Sequence, residues 1–214
     1  MRLHAKWALI PLCLAMAATA AVAQGTAKTE ITGTPPFTLG MPKADALHEA
    51  PAFQPISAAC PLQPYTFDRT LGLHVVTQID TVNHVDAQNY WARMPAPIGG
   101  YPYNALVNLC FYQGKLSAIR IMWNEDAFKS NVLEWWSRAQ ELAAQLNASY
   151  APNLFTRNSI DYNIGGNVEV RDPQGNTLDM YVQGVSTGFS IILNYIAGPY
   201  NHALNGPVGL EGSY

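Results

Sequence analysis

The sequence predicts an α+β fold: an antiparallel sheet of hairpins packed by one long amphipathic helix, with a short N-terminal helix and one disulfide. Three observations carry this. Apolar residues recur at helical spacing over about 125–149, β-rich runs flank glycine-containing turns on both sides of that stretch, and only two cysteines lie beyond the first 23 residues.

In chain order, the first element is not part of the fold. Met1, Arg2, His4 and Lys6 precede an apolar run of about 16 residues from Trp7 to Val22, and Ala21-Val22-Ala23 precedes Gln24. This is the order of a cleavable signal peptide, residues 1–23. The run is shorter than the roughly 20 strongly apolar residues that span a bilayer, and Pro11 interrupts it. Cys13 lies in the middle of the run, away from where a lipid-attachment cysteine stands. Residues 24–36, small, polar and ending in Pro35-Pro36, read as a flexible mature N-terminus.

A single domain is expected over 37–196. Pro42 suits a first helical turn, and Pro51 and Pro55 forbid continuation, which gives a short helix over about 42–50. From Tyr65 to Ile79, Leu71, Leu73, Val75 and Thr77 alternate with Gly72, His74, Val76 and Gln78 as in one half-buried strand. The stretch 84–104 reads as long and irregular. Val107, Leu109 and Phe111 before Gln113-Gly114, and Leu116, Ile119, Ile121 and Trp123 after it, form a hairpin.

Phe128, Val132, Trp135, Ala139, Leu142 and Leu146 then step by four and three along one helical stripe. Asn124 is the expected cap, Glu125 and Asp126 favour the positive end of the helix dipole, and Pro152 closes the segment. Val168–Arg171 and Leu178–Val182 across Asp172-Pro173-Gln174-Gly175-Asn176, followed by Phe189–Ile196, read as an antiparallel meander. Residues 197–214 revert to Gly, Pro and Asn as a tail. The domain thus reads as two helix-then-strands halves, about 37–123 and 124–196.

Composition bounds the function. Without residues 1–23 the chain has 12 minus 2, or 10, basic and 15 acidic side chains, a formal charge of −5. Nucleic acid is a poor partner for such a chain, and nothing after the signal segment is apolar and long enough for stable membrane insertion. Charged residues are 13% of the chain, about half the usual share, as suits an extracytoplasmic protein or one partly covered by another macromolecule. With Cys13 lost, Cys60 and Cys110 remain, and an even count in an exported chain reads as one structural disulfide rather than a redox pair.

Phe37-Thr38-Leu39-Gly40-Met41-Pro42 leading into a short helix, and a second helix ending at Tyr150-Ala151-Pro152 before a meander, resemble the layout of small bacterial exported proteins of the β-lactamase-inhibitor-protein-like and SmpA/OmlA-like groups. The resemblance is one of layout over about 37–196. It departs at Ala151, where glycine is more usual, and in the irregular 84–104 stretch. It implies a protein that presents a sheet face or loops to another protein, with no catalytic residues to carry over.

No catalytic pattern emerges from the residues themselves. His48, His74, His84 and His202 lack paired metal-ligand spacing, and His84-Val85-Asp86 with Asp80 would need the loop to fold back; no metal or cofactor is expected. Gly188-Phe189-Ser190 lacks the nucleophile elbow. Gly99-Gly100 and Gly165-Gly166 lack phosphate-loop context. Glu169 and Asp179 read as outward-facing hairpin partners, and no acidic residue stands in an apolar setting that would raise its pKa.

The most suggestive stretch is Tyr90–Tyr103, aromatic and Arg-containing among Pro and Gly. Tyr90, Trp91, Arg93, Met94, Tyr101 and Tyr103 are the candidate interface residues, set against the simpler reading of a lid folded over the core. The leading expectation is a non-catalytic periplasmic or secreted binding or accessory protein, a small subunit of a periplasmic or inner-membrane complex, whose partner is another extracytoplasmic protein. A small hydrolase whose carboxylates or histidines converge only in three dimensions, and a carbohydrate or small-ligand module, are the alternatives.

Overall fold

A computed structural model describes residues 26–56, 60, 66–68, 73–75, 87–96, 98, 103–161, 165–185 and 188–200. The signal segment, His84, His202, Tyr101 and residues 201–214 lie outside the described residues.

Two short strands, β1 (Gly33–Thr34) and β2 (Phe37–Thr38), pair antiparallel before α1 (Lys43–Glu49) and β3 (Gln54–Ile56). The segment read as a flexible lead-in is therefore tied down. Lys28 donates its N–H to Ser149 and accepts from Ala151, and Ile31 is fully buried. The polar composition of 24–36 hid this, because a single apolar residue, Ile31, supplies the core contact while backbone bonds do the rest.

The expected single strand over 65–79 is instead β4 (Thr66–Asp68) paired antiparallel with β5 (Leu73–Val75). Period-two alternation is shared by one long strand and by two short paired ones, so the pattern alone could not separate them. There follow β6 (Ala87–Pro95), β7 (Asn104–Tyr112) and β8 (Lys115–Asn124). β7 and β8 form the predicted hairpin, turning at Gln113-Gly114, where both residues have positive φ.

A 3-10 turn over Glu125–Phe128 separates β8 from α2 (Val132–Ser149). The helix thus starts later than the periodicity implied. Its cap is Asn131, whose side chain accepts from the N–H groups of Leu133 and Glu134, while Asn124 ends the strand. Phe128 kept the stripe's spacing because the 3-10 turn buries it in the same core.

The remainder is a meander of β9 (Phe155–Asp161), β10 (Gly165–Arg171), β11 (Thr177–Val185) and β12 (Gly188–Ile196). β9 was not foreseen, since its sequence Phe-Thr-Arg-Asn-Ser-Ile-Asp has the polarity of a sheet edge. The turn between β10 and β11 is held by buried Asp172. Its Oδ1 accepts from the N–H groups of Gln174 and Asn176, and its Oδ2 accepts from Ile31 N–H, so one carboxylate fixes a turn and the N-terminal segment together.

Eight strands form one antiparallel sheet in the order β3-β6-β7-β8-β12-β11-β10-β9. Each half of the chain contributes a four-stranded meander, and the halves join through β8 and β12. One face carries α1 and α2. Trp135, Ala139, Leu142 and Leu146 of α2 and Ala46 of α1 pack with Leu109, Ile119, Ile121, Trp123, Met180 and Leu193 in a single core. Burying each such side chain contributes roughly 1.5–3 kcal/mol, which makes this layer the main source of stability.

Trp135 also donates Nε1–H to the carbonyl of Ser190, and its ring lies over Gly184, where any Cβ would come to 3.2 Å. The opposite, far face has a smaller apolar cluster of Cys110, Ala118, Ile196 and Tyr200. Cys60 reaches it through the disulfide to Cys110, with Cα atoms 5.7 Å apart across a sequence separation of 50. A disulfide of this kind belongs to an oxidising, extracytoplasmic setting. Among the described residues, no helix is long and apolar enough to cross a membrane.

Candidate functional site

The first six residues of the aromatic stretch expected as a loop, Tyr90–Pro95, belong to β6, the second strand of the sheet. Pro95 is the last residue of the strand, a position that tolerates proline, so it says nothing against the residues before it. Strand alternation then divides the candidate residues between two faces.

Tyr90 and Met94 turn to the helix side. The Tyr90 ring meets Phe111 edge-on at 5.6 Å, and both residues pack against the main core. Tyr103, just before β7, also serves that side: its ring lies tilted against Phe128 at 5.2 Å and its hydroxyl donates to Glu134. Arg138 bonds both Tyr103 and Glu134, and with Glu141 completes a surface network on α2. The bonds from Tyr103 and Arg138 hold the Glu134 carboxyl below its ordinary range. Burial, then the bond to Glu134, pushes the Tyr103 hydroxyl up.

Trp91 and Arg93 stand on the far face. Trp91 is 38% exposed, and among the described residues only Val132 and Leu133 at the start of α2 are large apolar side chains left more open; Arg93 is exposed beside it along the strand. Register supplies their neighbours. Leu106 lies directly opposite Arg93, and Met122 opposite Leu106; Asn108 lies opposite Trp91. Leu106 and Met122 are half-buried and belong to neither apolar cluster. Directly opposed side chains stand about 4.5–5.5 Å apart at Cβ, so Trp91, Arg93, Leu106 and Met122 form one patch. Leu106 and Met122 escaped the sequence reading because they fall in strands whose alternate residues are all core.

Further along the far face, Glu169, Asp179, Asn194, Arg120 and Asn108 oppose one another in a row across five strands. Arg120 Nε donates to Asn194 Oδ1 at 3.1 Å, which leaves the Asn194 amide nitrogen as the group still to be satisfied. That nitrogen, on a residue 0% exposed, and the Oδ1 of buried Asn167 find no hydrogen-bond partner among the described residues.

Asp179 itself is only 3% exposed. Its expected outward orientation holds for the face but not for solvent, and the expectation that no carboxyl stands in a pKa-raising setting is overturned. Burial, followed by the like charge of Glu169, pushes its carboxyl up to about 7, while Arg171 and Arg157 pull the other way. Glu169 is paired with Arg171 at 3.3 Å.

Among the described residues, no group of three or more His, Cys, Asp or Glu could hold a metal. Among the described residues, Asp179 opposite Glu169 is the acidic pair with a carboxyl shifted toward neutrality, and so a candidate for acid–base work. Compared with protein-family models, with curated proteins and with solved structures, the chain matches none of them.

Proposed function

We propose that this chain is a non-catalytic binding or accessory protein of the periplasm, exported by residues 1–23 with cleavage near Ala23/Gln24, whose partner is another extracytoplasmic protein. The docking patch is the end of the far face formed by Trp91, Arg93, Leu106 and Met122. The carrying observation is Trp91: a large ring left open on a sheet face with an Arg, a Leu and a Met as its neighbours. Trp, Arg and Met are enriched at interface centres, and a buried Trp is among the commonest sources of binding energy there.

The test is recovery of a partner by the tagged mature protein from its own host, with Trp91→Ala as the comparison. Loss of a specific partner with an unchanged unfolding midpoint supports the reading. Equal recovery by both proteins refutes the patch.

A hydrolase is the second reading, favoured by Asp179 opposite Glu169 with a carboxyl that titrates near neutrality. It requires turnover of a chromogenic glycoside or ester that both Asp179→Asn and Glu169→Gln abolish.

A further inference from the structure

Resting on the patch reading just given, we infer that the partner presents an Asp or Glu carboxylate set beside an apolar side chain, and that Arg93 receives it. The reasoning begins with what surrounds the guanidinium. Arg93 makes no ion pair among the described residues. Its strand neighbour on the same face is Trp91, and across the ladder it faces Leu106 and then Met122. Of the polar residues beside this row, Asn104, Asn108, Asn124 and Ser190 are neutral, and Arg120, directly opposite Asn108, adds a second positive charge, its Nε donating to Asn194.

The acids placed on the far face, Asp179 and Glu169, are four and five strands away from β6. At about 4.8 Å per strand that is roughly 19 and 24 Å, beyond the screening length of about 8 Å at physiological salt. Asp126 is held by Asn124, so among the described residues Arg93 is a charge without a paired counter-charge, within the surface that the proposed partner covers.

Covering it has a definite consequence. A partner that buries Trp91, Leu106 and Met122 also removes water from Arg93, and an unpaired buried guanidinium is costly. Binding through the apolar residues is then favourable only for a surface that brings an anion to the same place. A carboxylate is the group that matches the planar fork bidentately. A phosphate-bearing membrane is disfavoured, because the chain is net negative and Arg93 has only Arg120, two strands away and bonded to Asn194, as a cationic neighbour among the described residues, which is not a basic cluster.

The experiment is selection from a phage-displayed library of random dodecapeptides on the full mature protein, with Arg93→Glu and Trp91→Ala as parallel baits. The expected result is that the parent enriches peptides with an acidic residue near an aromatic or aliphatic one. Arg93→Glu should instead enrich Lys or Arg at that position, and a synthetic acidic peptide should bind it at least tenfold more weakly. Both substitutions are at exposed positions, and unchanged unfolding midpoints verify the baits.

Peptides that depend on Trp91 but show no acidic bias overturn the carboxylate inference and leave the patch standing. Enrichment unaffected by Trp91→Ala, or none at all, overturns the patch and the inference together. Arg93-dependent binding to phosphatidylglycerol vesicles, without peptide selection, replaces the protein partner with a membrane and refutes the proposal.

Discussion

Asp179→Asn is the substitution that most directly tests the far face as described. In the folded chain this carboxyl keeps its proton up to about pH 7, whereas its ordinary value is 3.8. The unfolded chain releases the proton near the lower value. Between the two, folding takes up a proton, so stability is highest below pH 4, falls as pH rises, and levels off above 7. The interval is about three pH units at about 1.4 kcal/mol each, so ionisation of this one buried group costs on the order of 4 kcal/mol at most.

Asparagine has nearly the same shape as aspartate and never ionises. The variant is therefore expected to be more stable than the parent by a few kcal/mol at pH 8, with the advantage shrinking steadily toward pH 4. The assay is urea denaturation of the disulfide-bonded mature protein at several pH values between 4 and 8, compared as differences at each pH. A difference independent of pH, or a parent that gains stability relative to the variant as pH rises, would refute the burial of an ionisable Asp179.

Two further outcomes follow from the helix start and the cross-link. Asn131→Ala removes the side chain that accepts from two N–H groups at the start of α2, and should cost about 1 kcal/mol in chemical denaturation, whereas Asn124→Ala should not reproduce a capping loss. Replacing Cys60 and Cys110 by Ser opens a loop whose ends are 50 residues apart and should cost about 2–5 kcal/mol, read from denaturant midpoints; a midpoint unaffected by the change would refute a structural role.

How much of this was legible in the sequence depended on whether a residue's fate was set by its immediate neighbours. The β7–β8 hairpin announced itself through Gln113-Gly114 between alternating apolar runs, and α2 through a stripe whose spacing left no other reading. β6 did not. Its aromatics and the prolines beyond it looked like one irregular stretch, because nothing local says that Pro95 is the last residue of a strand rather than the middle of a loop. β9 was hidden by its polarity, which reflects a position at the sheet's margin that only the topology reveals.

Asp179 shows the deepest limit. Period-two alternation correctly set it on the opposite side from Leu178 and Met180, but whether that side meets water depends on segments far away in sequence. The same ignorance applied to the candidate patch. Trp91 stood out by composition, while Leu106 and Met122 became its neighbours only through a register shared by three strands.

The join between the two meanders has a consequence for how the chain is made. β12 sits in the middle of the sheet, yet among the described strands it is the last to leave the ribosome or the export channel. Until Ile196 has emerged, β8 has an open flank, with Ile119, Ile121 and Trp123 lacking the apolar partners they later meet on β12. Closure of the sheet thus waits on a contact between residues about 70 positions apart, the sort of distant pairing that slows folding. A chain truncated before β12 would lose its keystone rather than its fringe, and should be recovered as aggregate instead of as a smaller folded protein.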